Sequence, residues 1–176
     1  MNILIVSILH EFQLDDGELA SAELRQLRDN LEALLQKKIA ERIVEFIGEE
    51  TDWKSKHSTI AQRLANKRTP QIPWKNVDMT EEERKTAGIY EALKNRPYRV
   101  VWRGDKTVAI FRRIPEDDIR EEFMVSRAIE YAGNAESVLI LCGDMHTGAL
   151  KKKFEHREHL VEADESLITE KDWEDV

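Results

Sequence analysis

Several things are scarce in this chain. Its 176 residues include one cysteine, four prolines, seven glycines and 7% aromatics, and acidic side chains outnumber Lys and Arg by 35 to 27. A single thiol, Cys142, excludes an internal disulfide framework and any cysteine-based zinc finger. The net charge of −8 opposes the basic face that non-specific nucleic-acid binding requires, so no nucleic-acid partner is expected. The longest apolar runs, Ile3 to Leu9 and Val138 to Cys142, fall far short of the roughly 20 residues that cross a bilayer. The opening Met-Asn-Ile-Leu-Ile-Val has no basic region before its apolar stretch and no small-residue cleavage site after it. A secretory signal and a membrane location are therefore not expected, and a cytoplasmic one is.

What is present suffices for a core. At 41% apolar residues the chain is too hydrophobic to remain disordered, and its length suits one domain on the usual scale of about 100–200 residues. From Glu155 to Val176 nine acids face only Arg157 and Lys171, which concentrates the negative charge at one end. The organisation expected is a single domain over 1–162 and an acidic tail over 163–176.

Asn2 to Leu9 and Ser137 to Cys142 are continuous Ile/Val/Leu runs, the pattern of strands buried on both faces. Ile43 to Gly48 predicts a further strand and Glu158 to Glu162 a last one. Asp15 and Glu18 have the spacing of a capping box, and Leu24, Leu27, Leu31, Leu34 and Leu35 predict an amphipathic helix to about Ala40. Helices are also expected over Ser58–Lys67, from the acidic turn after Asp78 to about Asn95, from Pro115 to Ala132, and from Gly143 to Phe154. The Pro115–Ala132 helix is expected to bury Ile119, Phe123, Met124, Ala128, Ile129 and Tyr131. Alternation around Arg103-Gly104-Asp105-Lys106 predicts a β-hairpin insertion near 98–114. The fold class is α/β, a mixed or mostly parallel sheet flanked by helices.

In such sheets ligands bind at the carboxyl ends of strands. Three predicted strands end in chemically capable residues: Ser7-Ile8-Leu9-His10-Glu11, Gly48-Glu49-Glu50 and Gly143-Asp144-Met145-His146. Imidazole suits both metal ligation and proton transfer near neutral pH, and a neighbouring carboxylate can orient it or activate water. Each residue taken alone also has a plainer use: a loop hydrogen bond for a histidine, a solvated turn for Glu49-Glu50. Their coincidence at three strand ends is what suggests a site, provided the strands are neighbours.

The two strand-terminating small-x-x-His segments resemble the paired Gly-x-x-His motifs of the TraB/Tiki, ChaN and erythromycin-esterase-like superfamily. Gly143-Asp144-Met145-His146 matches the pattern, and Ser7 stands where glycine is usual in the first copy. A carboxylate after the second strand (Glu49 or Glu50) and Arg120-Glu121-Glu122-Phe123-Met124 are similar to the segments between the motifs. The resemblance covers about residues 1–162. It implies a hydrolase-like site with His10, Glu49 or Glu50, Arg120 and His146 as catalytic residues, and Glu11, Glu121 and Asp144 beside them for substrate binding. His10 and His146 act there as general base or as ligands of a divalent metal, while Arg120 stabilises an oxyanion or holds an anionic group. Arg120 has a plainer alternative, pairing with Glu116 or Asp117 in its own helix.

Other readings follow from the same residues. Calcineurin-like metallophosphoesterases need Asp-x-His at the first strand and an Asn-His segment, and neither is present. His156 and His159 lack a third ligand at fixed spacing and read as surface residues, and Cys142 reads as core. A non-catalytic binding or regulatory domain on the same fold is the alternative to an enzyme. A small-molecule or peptide substrate is expected, with a homodimer among the allowed states. Hairpin arginines (Arg96, Arg99, Arg103, Arg112, Arg113) lining the cleft would favour an anionic ligand over a peptide.

Overall fold

Burying the Ile/Val runs on both sides requires a sheet covered by helices on each face, and that is the observed architecture. The computed structural model describes residues 1–8, 13, 22–51, 58–103 and 106–164. In chain order the elements are β1 (Asn2–Ser7), α1 (Ala22–Glu41), β2 (Phe46–Glu49), α2 (Ile60–Lys67), β3 (Trp74–Asn76), α3 (Glu81–Thr86), α4 (Tyr90–Lys94), β4 (Tyr98–Arg103), β5 (Lys106–Phe111), α5 (Glu116–Ala132), β6 (Ser137–Cys142), α6 (Asp144–His156) and β7 (Leu160–Asp164). Five strands form one sheet in the order β3-β2-β6-β1-β7, and every pairing in it is parallel. β4 and β5 make a separate antiparallel pair, the expected hairpin.

The period-two pleat sorts the strand residues between two cores. Leu4, Val6, Ile47, Leu139 and Leu141 pack with Leu31, Leu35 and Ile39 of α1 and Ile60, Ala61 and Leu64 of α2. Ile3, Ile5, Phe46, Val138, Ile140 and Cys142 pack on the other face with Met124, Val125 and Ala128 of α5 and Leu150 and Phe154 of α6. Each large apolar side chain buried this way stabilises the fold by about 1.5–3 kcal/mol. Gly48 is required within β2 because a Cβ there would lie 2.8 Å from Ile140 Cδ1 and 2.9 Å from Val77 Cγ1.

The structure corrects several expectations. Ile43 does not enter β2; it is 79% exposed with a φ of 50°, a turn residue after α1. The helix expected from the Asp78 turn to Asn95 is two short helices, α3 and α4, interrupted at Gly88, whose φ of 71° breaks the helical path. On α5, Ile119 and Tyr131 are exposed, and the buried face instead carries Asp117 and Glu121 with Met124, Val125, Ala128 and Ala132. The helix start expected at Asp15–Glu18 lies outside the described residues. No helix among the described residues is long and apolar enough to cross a membrane.

Two features position the site. β2, β6 and β1 are adjacent and co-directional, with Ser7 opposite Cys142 and Glu49 opposite Leu141, so their carboxyl ends share one edge. The helices that follow β2 and β6, α2 and α6, lie on opposite faces, the divergence at which parallel sheets bind their ligands. The hairpin is fastened to α5 by ion pairs from Arg96 to Asp117 and from Arg113 to Glu121.

Candidate active site

Glu50 follows β2 directly, and its amide donates to Leu141 O at 2.8 Å, which extends the pairing with β6 by one residue. The pleat sends Phe46, Gly48 and Glu50 toward α5 and α6 and sends Ile47 and Glu49 toward α2. Two consecutive buried carboxylates therefore serve opposite faces. Glu49 accepts from Thr59 Oγ1 and Trp74 Nε1, both at 2.6 Å, and from Gln13 Nε2 at 3.3 Å. Glu50 accepts the Gly143 amide at the head of α6 at 2.9 Å, and Arg120 Nη2 at its other oxygen.

Arg120, on the second turn of α5, is the centre of the cluster. Its Nε donates to Asp78 Oδ1 at 2.8 Å and its Nη2 to Asp78 Oδ2 at 2.6 Å, a two-point grip on a carboxylate only 1% exposed. Asp78 is itself held, with its Oδ2 accepting Arg84 Nη2 at 2.6 Å and its Oδ1 the Met79 amide at 2.7 Å. Two turns further along α5, Arg127 donates to the Asp78 carbonyl at 3.0 Å. Burial would lower the Arg120 pKa, but Glu50 and Asp78 hold it well above the ordinary guanidinium value, so it stays cationic.

His146, the third residue of α6, lies with Nε2 3.0 Å from Arg120 Nη1 and Nδ1 2.9 Å from Glu121 Oε1. A guanidinium has no acceptor, so the ring atom facing it is the lone pair; Nδ1 carries the proton and donates it to Glu121. Glu121 is completely buried and accepts both terminal nitrogens of Arg113, Nη2 at 2.6 Å. Burial pushes its pKa up, but Arg113 and His146 outweigh that and hold it below the ordinary carboxylate range. The result is an oriented imidazole backed by an ionised carboxylate, with Glu50 Oε1 3.6 Å from Nε2. Cys142 faces Thr147 Oγ1 at 3.6 Å; burial first, then the charge of Glu50, raises its thiol pKa, which suits a core residue rather than a nucleophile.

Of the residues singled out in the sequence, Glu50, Arg120, Glu121 and His146 converge. Glu49 does not, because the pleat turns it to the other face. Asp144 is exposed at the first position of α6 and accepts the Met145 amide at 2.7 Å. His10 and Glu11 lie outside the described residues, so the pairing of His10 with His146 does too. Arg120 bonds to neither Glu116 nor Asp117; it reaches across to β2 and to the segment after β3. Among the described residues no group of three or more His, Cys, Asp or Glu is placed to hold a metal. The guanidinium of Arg120 already bonds both Glu50 Oε1 and His146 Nε2, which fills the position a cation would take.

Sequence reasoning read Asp78 only as part of a helix-start signal and left Arg113 among the hairpin arginines. Pro70 and Pro73 bracket an extended piece through Trp74 to Val77 in the sequence, and β3 forms there; Asp78 lies two residues past its end, where the rule applied to the other strand ends also points. No family model, curated protein or solved structure matches the chain.

Proposed function

We propose that this protein is a hydrolase whose base is His146, oriented by Glu121 and assisted by Arg120. The carrying observation is the Glu121–His146–Arg120 contact set: an ionised carboxylate on Nδ1–H and a fixed cation beside the Nε2 lone pair. In this reading water replaces Arg120 Nη1 at Nε2, His146 removes its proton as the oxygen attacks the substrate, and Glu121 stabilises the imidazolium formed. Arg120, held in place by Asp78 and Glu50, faces the developing oxyanion. The proton then passes from Nε2 to the leaving group, which restores the imidazole. The order of His10, Glu50, Arg120 and His146 along the chain, and its resemblance to the erythromycin-esterase-like superfamily, support the same reading.

A second reading, a non-catalytic binding or regulatory domain on this fold, is favoured by one observation. Arg120 already bonds Asp78, Glu50 and His146, which is the pattern of a structural latch. The test is turnover by the purified protein on panels of carboxylic esters, amides and phosphate esters, with His146→Asn as the variant. Asparagine keeps a donor for Glu121 but has no base at the Nε2 position. Activity lowered by about 100-fold or more in a folded variant supports the base role. Unchanged turnover removes His146 from the mechanism, and no turnover on any panel by the parent leaves the binding reading. Elemental analysis of the parent and of His10→Ala and His146→Ala, all purified without chelator, reads any contribution from a metal separately.

A further inference from the structure

Beside the site, between the N-terminal turns of α5 and the exposed side of α6, runs a groove of about 410 Å³ lined by Arg113, Asp118, Met145, Ala149, Lys152 and Lys153. That volume lies within the range of small-molecule sites, about 300–1,000 Å³. Met145, Ala149, Lys152 and Lys153 are three and four residues apart on α6, so they share one helix face. Arg113 arrives from the opposite side, two residues beyond β5. The lining carries three cations and one acid in a chain whose net charge is −8.

The two lysines are only lightly committed. Lys152 is exposed and makes no ion pair among the described residues. Lys153 stands 3.4 Å from Asp118 and 3.7 Å from Glu122, both carboxylates more than half exposed, and such pairs hold a side chain weakly. Arg113 is the held member: both its terminal nitrogens bond Glu121 and Nη2 also bonds Asp118, so it lends the groove its charge from a fixed position.

We propose that this groove binds the phosphoryl group of a small molecule. One carboxylate would be satisfied by a single fork, whereas three separate cationic groups converging from two elements match a dianion with three equivalent oxygens. Arg113 is shared between groove and site. A phosphoryl group that draws it outward weakens its hold on Glu121, and Glu121 in turn orients His146. That coupling rests on the reading of His146 as a base; occupancy of the groove does not.

The experiment is a titration of isotopically labelled, full-length protein with inorganic phosphate at constant ionic strength, followed by amide NMR, with acetate as the parallel arm. Expected are saturable shifts at Arg113, Asp118, Ala149, Lys152 and Lys153, and a dissociation constant weakened about tenfold in K152A/K153A. An otherwise unchanged spectrum reports that this surface variant is folded. The absence of a saturable phosphate response, or equal binding by the double variant, overturns the proposal. Acetate saturating the same amides as tightly overturns the phosphoryl assignment and makes the groove a carboxylate site. Because binding is read without turnover, its failure and that of the hydrolase reading are seen separately.

Discussion

At the scale of single residues, the cluster divides into groups that react and groups that hold. The Asp78 carboxylate bonds Arg120, Arg84 and the Met79 amide, so it positions the guanidinium. Arg120→Met would leave Glu50 and Asp78, both nearly inaccessible, facing a lost cation, with an expected destabilisation of about 3–5 kcal/mol in urea unfolding. Arg120→Lys keeps the charge without the fork and is expected to lose clearly less stability. Equal losses for the two would show that fork geometry, rather than charge, holds the three elements together. Glu121→Gln removes the charge that faces both Arg113 and His146, and a loss of about 2 kcal/mol is expected. The same variant should depress any turnover, since an amide stabilises the imidazolium poorly.

Among the elements, the predictions concern packing and ends. Gly48→Ala places a methyl within 3 Å of Ile140 and Val77 between β2 and its neighbours. A destabilisation of about 1–3 kcal/mol is expected, visible as a lowered thermal midpoint. α3 is short and has no buried residue, so its capping box carries much of its stability: Glu83 N donates to Thr80 Oγ1 at 3.3 Å and Thr80 N to Glu83 Oε2 at 2.8 Å. Thr80→Ala should cost about 1 kcal/mol and loosen Arg84, which should show as faster amide exchange from α3 into the Asp78 turn. The hairpin illustrates how far element-level reasoning extends. Its strands follow from alternation in the sequence, but the use of Arg96 and Arg113 as clamps on α5 depends on Asp117 and Glu121 being turned inward. Arg99, on β4, and Arg112, just past β5, are exposed.

For the whole molecule, the paired acids, one buried and two partly exposed, make stability depend on pH in a definite direction. Glu121, Glu32 and Glu83 all have folded pKa values below the ordinary 4.5: Glu32 chiefly through Arg63, the other two because their ion pairs outweigh burial. Their stabilisation is fully present above that value and is lost as the pH falls through the lowered ones. His159 adds a weaker effect of the same sign: burial, the N-terminal amine and Arg157 lower its pKa from 6.5, so protonation begins to favour the unfolded chain below that point. Urea midpoints should therefore fall gently below about pH 6.5 and steeply below about pH 4.5. A profile flat to pH 4 would mean that these acids are not ionised partners in the fold.

Local chemistry settled a good part of this protein. Runs such as Ile3–Val6 and Val138–Leu141 can only be strands covered on both sides, and the strand-end positions of Glu50 and His146 follow from where those runs stop. The amphipathic spacing of Leu24, Leu27, Leu31, Leu34 and Leu35 likewise announced α1. Tertiary structure alone decided which of two adjacent glutamates enters the site, since a one-residue slip in the register of β2 against β6 would exchange their faces. It alone brought Asp78 and Arg113 to Arg120 and Glu121. Those partners lie on segments with little periodicity of their own, and their meeting depends on sheet order and helix docking, which no local pattern encodes. Two buried acids on α5, Asp117 and Glu121, on the same helix face as Met124, Ala128 and Ala132, are the mark of that difference: a charge is carried inward when partners from elsewhere in the chain wait there to meet it.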